Sequence, residues 1–254
     1  MIMNFYKNTC IALVFVLGCG MTGRAQTLTE KAAEAYQKGD YAEAITLYEQ
    51  SAEQDGVSSA FYYNLGNACY KDKRYPDAIL NYERALLLDP SNDDARFNLD
   101  MARAYVTDKI EPVGTFFLVR WVNSVRDLFS SDTWAVIAVV AFLLFLTGVV
   151  LYFFCGNVAL RKLGFFAGLL ALLVSLGANR FAAVQKDILT RHDSAIVFAP
   201  TLTAKSSPSE SGTDLFVLHE GTKVRLLDKV GAWSEILLED GNRGWVPTEK
   251  LEVI

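Results

Sequence analysis

The sequence predicts a multi-domain membrane protein that consists of an all-α solenoid, two transmembrane helices and a C-terminal all-β barrel. Three observations predict this fold class. Tyr41 and Ala44 recur as Tyr75 and Ala78, an offset of 34 residues that is typical of stacked helical repeats. Two long apolar runs follow the repeats. Beyond them, residues 194–254 alternate short β-rich runs with turn residues, as in a small barrel.

Composition limits the classes of function. The 254 residues are 52% hydrophobic, more than is usual for a soluble chain, and the formal net charge is −5. An acidic chain offers no basic stripe for phosphates, so no nucleic acid partner is expected. The cysteines, Cys10, Cys19, Cys69 and Cys155, are scattered and none has a histidine at metal-ligand spacing. We therefore expect no zinc site, no structural disulfide and no cofactor.

The first 25 residues predict a signal peptide. Lys7 precedes an apolar run over residues 10–17, and small residues then lead to a cleavage site after Ala25. The alternative is a lipoprotein signal with Cys19 acylated, which Leu17 at its middle position disfavours.

Two apolar segments predict transmembrane helices. Residues 133–154 contain no charged side chain, and residues 163–180 form a second, shorter span. The connector 155–162 contains Arg161 and Lys162 and no acid, which predicts a cytoplasmic location. Both soluble modules would then lie on the periplasmic, outer side of the inner membrane. Gly164 and Gly168 form either a packing seam with the first span or an ordinary occurrence of glycine in a span.

Two segments outside the modules and the spans are predicted to be linkers. Residues 111–132 form an amphipathic linker that either lies in the membrane interface or packs on the repeat module. Residues 181–193 are interpreted as a linker between the second span and the barrel.

The repeats resemble the tetratricopeptide family. The second copy matches its pattern of large and small residues at Tyr62, Leu65, Gly66, Ala68, Tyr75, Ala78, Tyr82, Ala85 and Pro90. Small residues let the two helices of a hairpin approach, and large ones fill the remaining space. Residues 26–110 are therefore predicted to form an all-α tetratricopeptide solenoid, in which residues 93–107 provide a capping helix.

The tetratricopeptide resemblance implies a groove that binds an extended peptide or a partner segment. Carried over by position, the groove candidates are Tyr36, Gln37, Tyr63, Asn67, Tyr70, Lys71, Phe97 and Met101. Tyr63 stands where a carboxylate-binding clamp has a basic residue, which disfavours recognition of a free carboxyl terminus. Packing of these aromatic side chains within the protein is the equal alternative.

The C-terminal segment, residues 194–254, resembles a bacterial SH3-type domain. Six β-rich runs, at 195–198, 202–204, 215–218, 223–228, 234–238 and 244–246, carry a G-x-x-V, W-x-x-I and D-G-x-x-G-W-V progression. The resemblance implies an all-β SH3-like barrel that binds peptidoglycan stem peptides or protein segments. Candidate ligand contacts are Trp233, Trp245 and Pro247 along a groove, with Glu220 and Asp240 on flanking loops. The alternative is a purely structural barrel.

No catalytic motif emerges. His192, Asp193 and Ser194 are the residue types of a triad, but adjacency in sequence does not create the required geometry. The expectation is therefore a binding protein and no enzyme.

The order of segments resembles the BatE-type proteins of the bacterial aerotolerance gene cluster. That resemblance implies an interaction scaffold of the cell envelope that works with membrane-anchored von Willebrand A domain proteins in tolerance of oxidative stress. The alternative function is a peptidoglycan-binding sensor.

Overall fold

A computed structural model describes residues 27–254, so the predicted signal peptide and Cys19 lie outside the described residues. The chain divides into two compact units, Met1–Asp55 and Gly56–Ile254.

The described part of the first unit is a helical hairpin. Helix α1 spans Leu28–Lys38 and helix α2 spans Tyr41–Asp55. Thr27 and Glu30 cap the start of α1 reciprocally, each side chain accepting from the backbone N–H of the other. Gly39 ends α1 at φ +88°, a conformation that glycine adopts without steric cost. The hairpin buries Ala32, Ala35, Ala44, Ile45 and Tyr48.

The second unit begins with the second repeat and its cap. Helices α3 (Ser59–Lys71), α4 (Tyr75–Leu88) and α5 (Asp93–Arg103) form these elements. A Cβ added to Gly66 would lie 2.7 Å from Cε1 of Tyr82, so this close approach of α3 and α4 requires glycine.

Three helices connect the repeat to the barrel: α6 (Phe117–Arg126), α7 (Ser131–Phe154) and α8 (Val158–Arg191). Both α7 and α8 are long and apolar enough to cross a membrane. Helix α8 is longer than the predicted span 163–180. It begins after Asn157, whose side chain accepts from the N–H of Ala159, and continues through the segment interpreted as a linker. No glycine or proline interrupts residues 178–191, so nothing ends the helix there.

Helices α7 and α8 form an antiparallel pair. Ser131 Oγ donates to the carbonyl of Ala182 at 3.1 Å, and Ser175 Oγ donates to that of Ala138 at 2.8 Å. Near the other end, a Cβ added to Gly148 would lie 2.6 Å from the carbonyl oxygen of Gly164. The glycines of the second helix therefore form a packing seam with the first, one of the two interpretations left open by the sequence.

The C-terminal region is a seven-stranded antiparallel sheet in the order β3-β2-β6-β5-β4-β1-β7. The strands are β1 Ser194–Val197, β2 Leu202–Lys205, β3 Asp214–Leu218, β4 Lys223–Val230, β5 Trp233–Leu237, β6 Arg243–Pro247 and β7 Leu251–Val253. The first six coincide with the runs expected from the sequence, with small differences at their ends. Strand β7 follows a 3-10 turn and pairs with β1. The inward side chains form a core of Ala195, Val197, Leu202, Ala204, Leu218, Val224, Ile236, Leu238 and Val246.

Candidate functional site: two binding surfaces and their junction

The cap helix α5 presents apolar side chains to solvent. Phe97 and Met101 lie one turn apart on one side of α5, and Tyr105, two residues beyond the end of the helix, is the third member of this exposed set, called the stripe below. They are 66%, 45% and 56% exposed. The opposite side of α5 is buried through Ala95, Leu99 and Ala102. The exposed stripe therefore contributes little to the core of the repeat and is available to a partner.

Polar side chains of α3 and α5 form hydrogen bonds with one another near this stripe. The Oδ1 atom of Asn67 accepts hydrogen bonds from Tyr82 Oη at 2.7 Å and from Asn98 Nδ2 at 2.8 Å. Asn98 Nδ2 also lies 3.5 Å from the hydroxyl of Tyr63. The acceptor of Asn67 is thus used within the protein. Asn67 and Tyr63 therefore shape the surface, whereas the α5 stripe is free to contact a ligand.

A tyrosine cluster closes one end of the surface. The rings of Tyr75 and Tyr105 stack with centroids 4.1 Å apart, and Tyr70 packs edge-on against both. A hydrogen bond to Tyr105, together with burial, raises the pKa of Tyr70 above its ordinary value. Sequence reasoning did not select Tyr105. The repeat offset would have found it, because Tyr105 lies 34 residues after the groove candidate Lys71.

The remaining groove candidates have simpler surroundings. Lys71 is exposed at the end of α3. Tyr36 and Gln37 belong to the first unit, where Tyr36 is half-buried with its ring 5.4 Å from that of Tyr41, and Gln37 is exposed.

A second surface lies on the barrel. In the register of β5 and β6, Trp233 faces Pro247 and Glu235 faces Trp245. Since Val246 and Gly244 point into the barrel, the two tryptophans and the proline lie on its outer face, where they are half-buried. Trp233 and Pro247 line a groove of about 460 Å³. Its other lining residues are Glu210, Lys229, Gly231, Ala232, Thr248 and Glu249. Trp245 lies outside this lining.

Glu220 and Asp240, predicted on loops that flank the groove, do not line the Trp233–Pro247 groove. The groove surrounds the turn from β4 to β5, whereas Glu220 precedes β4 and Asp240 follows β5. Because the two strands are antiparallel, both residues lie at the opposite end of the hairpin. Asp240 instead accepts from the backbone and side-chain amides of Asn242 within its own turn.

Comparison with protein families identifies the two domains that carry these surfaces. A tetratricopeptide repeat model matches residues 29–95, and a bacterial SH3 domain model matches residues 201–252. The chain contains a tetratricopeptide repeat domain and a bacterial SH3 domain. Both domain types are typically non-catalytic binding modules. No curated protein matches the chain, and the aerotolerance resemblance stays a proposal.

The second tetratricopeptide repeat and the SH3 domain meet around Glu83. Its side chain is 8% exposed and accepts from Arg103 Nη2 at 2.6 Å and from Lys223 Nζ at 2.7 Å. Nearby, Arg84 Nη2 donates to the carbonyl of Val253 at 2.7 Å. The carboxylate therefore joins α4, α5 and β4. This role could not be read from the sequence, because a single glutamate in a helix looks like an ordinary surface residue.

Asp108 forms the second polar contact of this junction. It accepts from the backbone N–H of His219 at 2.7 Å, from His219 Nδ1 at 2.8 Å and from Thr222 Oγ1 at 2.7 Å. Burial alone would raise the pKa of Asp108, but the hydrogen bonds from Thr222 and His219 outweigh it and lower the pKa below its ordinary value. Asp108 is therefore a charged acceptor at neutral pH.

The triad residue types do not assemble into a triad. His192 ends α8 at φ +46°, and its Nδ1 lies 3.3 Å from the backbone oxygen of Ile254. Ser194 Oγ instead lies 3.4 Å from Asp193 Oδ1. Within residues 27–254, no group of three or more His, Cys, Asp and Glu side chains could hold a metal ion.

Proposed function

We propose that this protein is a membrane-anchored scaffold whose tetratricopeptide repeats bind a segment of a partner protein. The observation that carries the proposal is the exposed stripe of Phe97, Met101 and Tyr105 beside the Tyr70 ring. A contiguous exposed apolar surface on a repeat domain is typical of a protein interaction site. Its aromatic and methionine side chains are types enriched at such interfaces.

The α7–α8 pair supports anchoring in a bilayer. The outward side chains of the pair are large and apolar, for example Val139, Leu143 and Leu170, and each is more than half exposed. No charged residue occurs between Asp132 and Arg161. Burying this surface in hydrocarbon is strongly favourable, whereas leaving it in water costs about 25 cal/mol for each Å².

The contacts between the second repeat and the SH3 domain support a location of both domains on the same side of the membrane. Glu83 and Asp108 precede the first apolar helix, and their partners Lys223 and His219 follow the second. Groups in hydrogen-bond contact must share one aqueous compartment, so the chain crosses the bilayer an even number of times between them. The basic residues of the short connector favour its cytoplasmic location. Both domains would accordingly lie on the periplasmic face of the inner membrane.

The partner class follows from the resemblance in segment order. Membrane-anchored von Willebrand A domain proteins, in a complex that supports tolerance of oxidative stress, are the first partners to test.

A photo-crosslinking amino acid at position 97 in intact cells tests the scaffold. We expect position 97 to crosslink a partner protein, and position 96 on the same helix, where the Arg96 side chain is exposed on another side, to give much less product. Adding Met101→Asp should abolish the product. Equal crosslinking at both positions, or none, would contradict the proposal. Point changes are preferable to deleting residues 26–107, because the deletion also removes Glu83 and its contact with Lys223.

The Trp233–Pro247 groove favours peptidoglycan binding by the SH3 domain as a second candidate function. An apolar groove with a charged rim suits a peptide that carries both methyl and charged groups, such as a stem peptide. The full chain in detergent should sediment with insoluble peptidoglycan. Trp233→Ala should reduce the bound fraction at least about tenfold, which corresponds to about 1.4 kcal/mol. Trp245→Ala is the matched control and should bind normally. Absence of sedimentation by the parent protein excludes this candidate.

A further inference from the structure

Helix α6 is amphipathic, and only its C-terminal end packs on the protein, where Val125 contacts the cluster of Trp134, Ala138 and Ala178. No residue of Phe117–Arg126 is buried, and Phe117 and Trp121 are 66% and 64% exposed. At 100° per residue, Phe117, Leu118, Trp121, Val122 and Val125 share one side of the helix. Arg120 and Asn123 lie on the other. The sequence left open whether this segment packs on the repeat module or lies in the membrane interface, and the exposure of its apolar side favours the interface.

The C-terminal end of α6 is held by side chains at one end of the α7–α8 pair. The carbonyl of Arg126 accepts from Trp134 Nε1 at 2.7 Å and from Gln185 Nε2 at 2.9 Å. Gln185 Nε2 also donates to the carbonyl of Phe129 at 2.8 Å. Trp134 lies in the first turn of α7, and Gln185 lies near the end of α8 at the same end of the pair. These contacts hold the end of α6 against the first turn of α7 and the last turns of α8.

Exposure of this helix to water would be costly. Burial of a phenylalanine-sized side chain is favourable, and α6 leaves several such side chains uncovered. Tryptophan is favoured where hydrocarbon meets headgroups, and arginine is favoured on the outer side of such a helix. Arg120 is exposed and has no ion pair among the residues that the structure describes.

We propose that α6 lies in the interface of the outer leaflet, parallel to the bilayer surface, with phospholipid as its partner. Phe117, Leu118 and Trp121 enter the acyl boundary, while Arg120 and Asn123 face the headgroups and water. The inference rests on the proposed membrane anchoring, because the same bilayer must hold α7 and α8. The proposed position of α6 adds a third contact with lipid to those of α7 and α8. It also places the segment that follows the repeats directly on the membrane surface.

Nitroxide labels on the full chain test this position. The native cysteines are replaced by serine, and single cysteines are introduced as Leu118→Cys, Asn123→Cys or Val140→Cys. Each labelled protein is placed in nanodiscs of phosphatidylethanolamine and phosphatidylglycerol. Collisions with oxygen, which concentrates in lipid, are then compared with collisions with a water-soluble nickel chelate. We expect the label at 118 to favour oxygen and the matched label at 123 to favour nickel, with at least a fivefold (~1 kcal/mol) difference between their collision ratios.

The label at 140, in the middle of α7, separates the two proposals. Oxygen preference at 140 with nickel preference at 118 overturns the interfacial position and leaves membrane anchoring intact. Nickel preference at 140 overturns both. Shielding from both reagents at 118 means that protein covers the face, which also overturns the inference. An independent measurement without new cysteines compares quenching by brominated lipid in the parent and in Trp121→Phe. The parent should lose more fluorescence, and equal fractional quenching contradicts the proposal.

Discussion

At the scale of single residues, Glu83 determines how the second repeat is held against the SH3 domain. Its carboxylate is removed from water and receives two charged donors, Arg103 and Lys223, from different elements. Such a pair contributes little relative to apolar packing, but removing one member leaves its partners without their counter-charge. Loss of the carboxylate is therefore more damaging than its modest net contribution suggests.

We expect Glu83→Leu to lower the free energy of unfolding of the second repeat and the SH3 domain by about 1–3 kcal/mol. The loss is limited to this range because Arg103 and Lys223 are only partly buried and regain some hydration. Thermal unfolding in detergent, followed by near-ultraviolet circular dichroism, measures the change. The matched control is Glu249→Leu, which removes an exposed carboxylate that pairs with Lys250 and should change the free energy by less than about 0.5 kcal/mol. Equal effects of the two variants would show that Glu83 does not hold the junction.

Asp108 should make the same junction sensitive to acid. Because its pKa is lower in the folded protein than in the unfolded chain, its stabilising contribution is complete above about pH 4 and is lost as the pH falls through the folded value. Asp108→Asn should therefore speed amide hydrogen exchange at His219, whose backbone N–H donates to Asp108, at pH 7. The difference from the parent should shrink below about pH 4. Asp240→Asn, in an exposed turn, should leave exchange at His219 unchanged at both pH values.

At the scale of elements, the seam between α7 and α8 depends on glycine at position 148. A Cβ there would meet backbone atoms of Gly164 and Gly168 at 2.6 and 2.9 Å, and backbone cannot move aside as a side chain can. Gly148→Leu should force the helices apart and cost about 1–3 kcal/mol. Gly177→Leu is the matched control, because Gly177 lies in α8 with open space around it. The rate of disulfide formation between cysteines introduced at Ala138 and Ser175 reports the separation, and an unchanged rate in Gly148→Leu would contradict the seam.

The elements that the sequence predicted are those with a local pattern. The repeat and six of the strands were found because their signals are local: the 34-residue period, the small residues at hairpin contacts and the alternation of short strands. Strand β7 was missed because three residues after a turn carry too little periodicity. Helix α8 extends beyond the predicted span 163–180, because hydropathy measures where apolar residues end, while the helix continues over Lys186 and Asp187 in the absence of a breaker.

The candidate site depends more on tertiary contacts than the fold does. Position within the repeat placed Tyr63, Asn67 and Tyr70 on the first helix of a hairpin, and the structure brings them to Asn98 and Tyr105 of the next segment. The sequence could not show that Asn67 is occupied by internal hydrogen bonds, because those depend on Asn98 in the next helix. Glu220 and Asp240 were predicted on loops that flank the groove, but a sequence does not say at which end of a barrel a turn lies.

At the scale of the whole molecule, the contacts of Glu83 and Asp108 with the SH3 domain require an even number of membrane crossings between them, independently of hydropathy. Residues on both sides of the two apolar helices touch, so these helices must cross together or not at all. In the proposed anchoring, their connector, residues 155–157 followed by Arg161 and Lys162, would lie alone on the opposite side.

Reporter fusions provide the measurement of this topology. Alkaline phosphatase, active only outside the cytoplasm, should be active when fused after Ile254 and inactive when fused after Gly156. A cytoplasm-specific fluorescent reporter should show the reverse. Arg161→Glu with Lys162→Glu removes the positive charge that retains the connector, and should lower phosphatase activity at the Ile254 fusion. A glutamine pair at the same positions separates loss of positive charge from gain of negative charge. Active phosphatase after Gly156 in the parent would mean that the two helices do not form a membrane hairpin, however well they pack against each other.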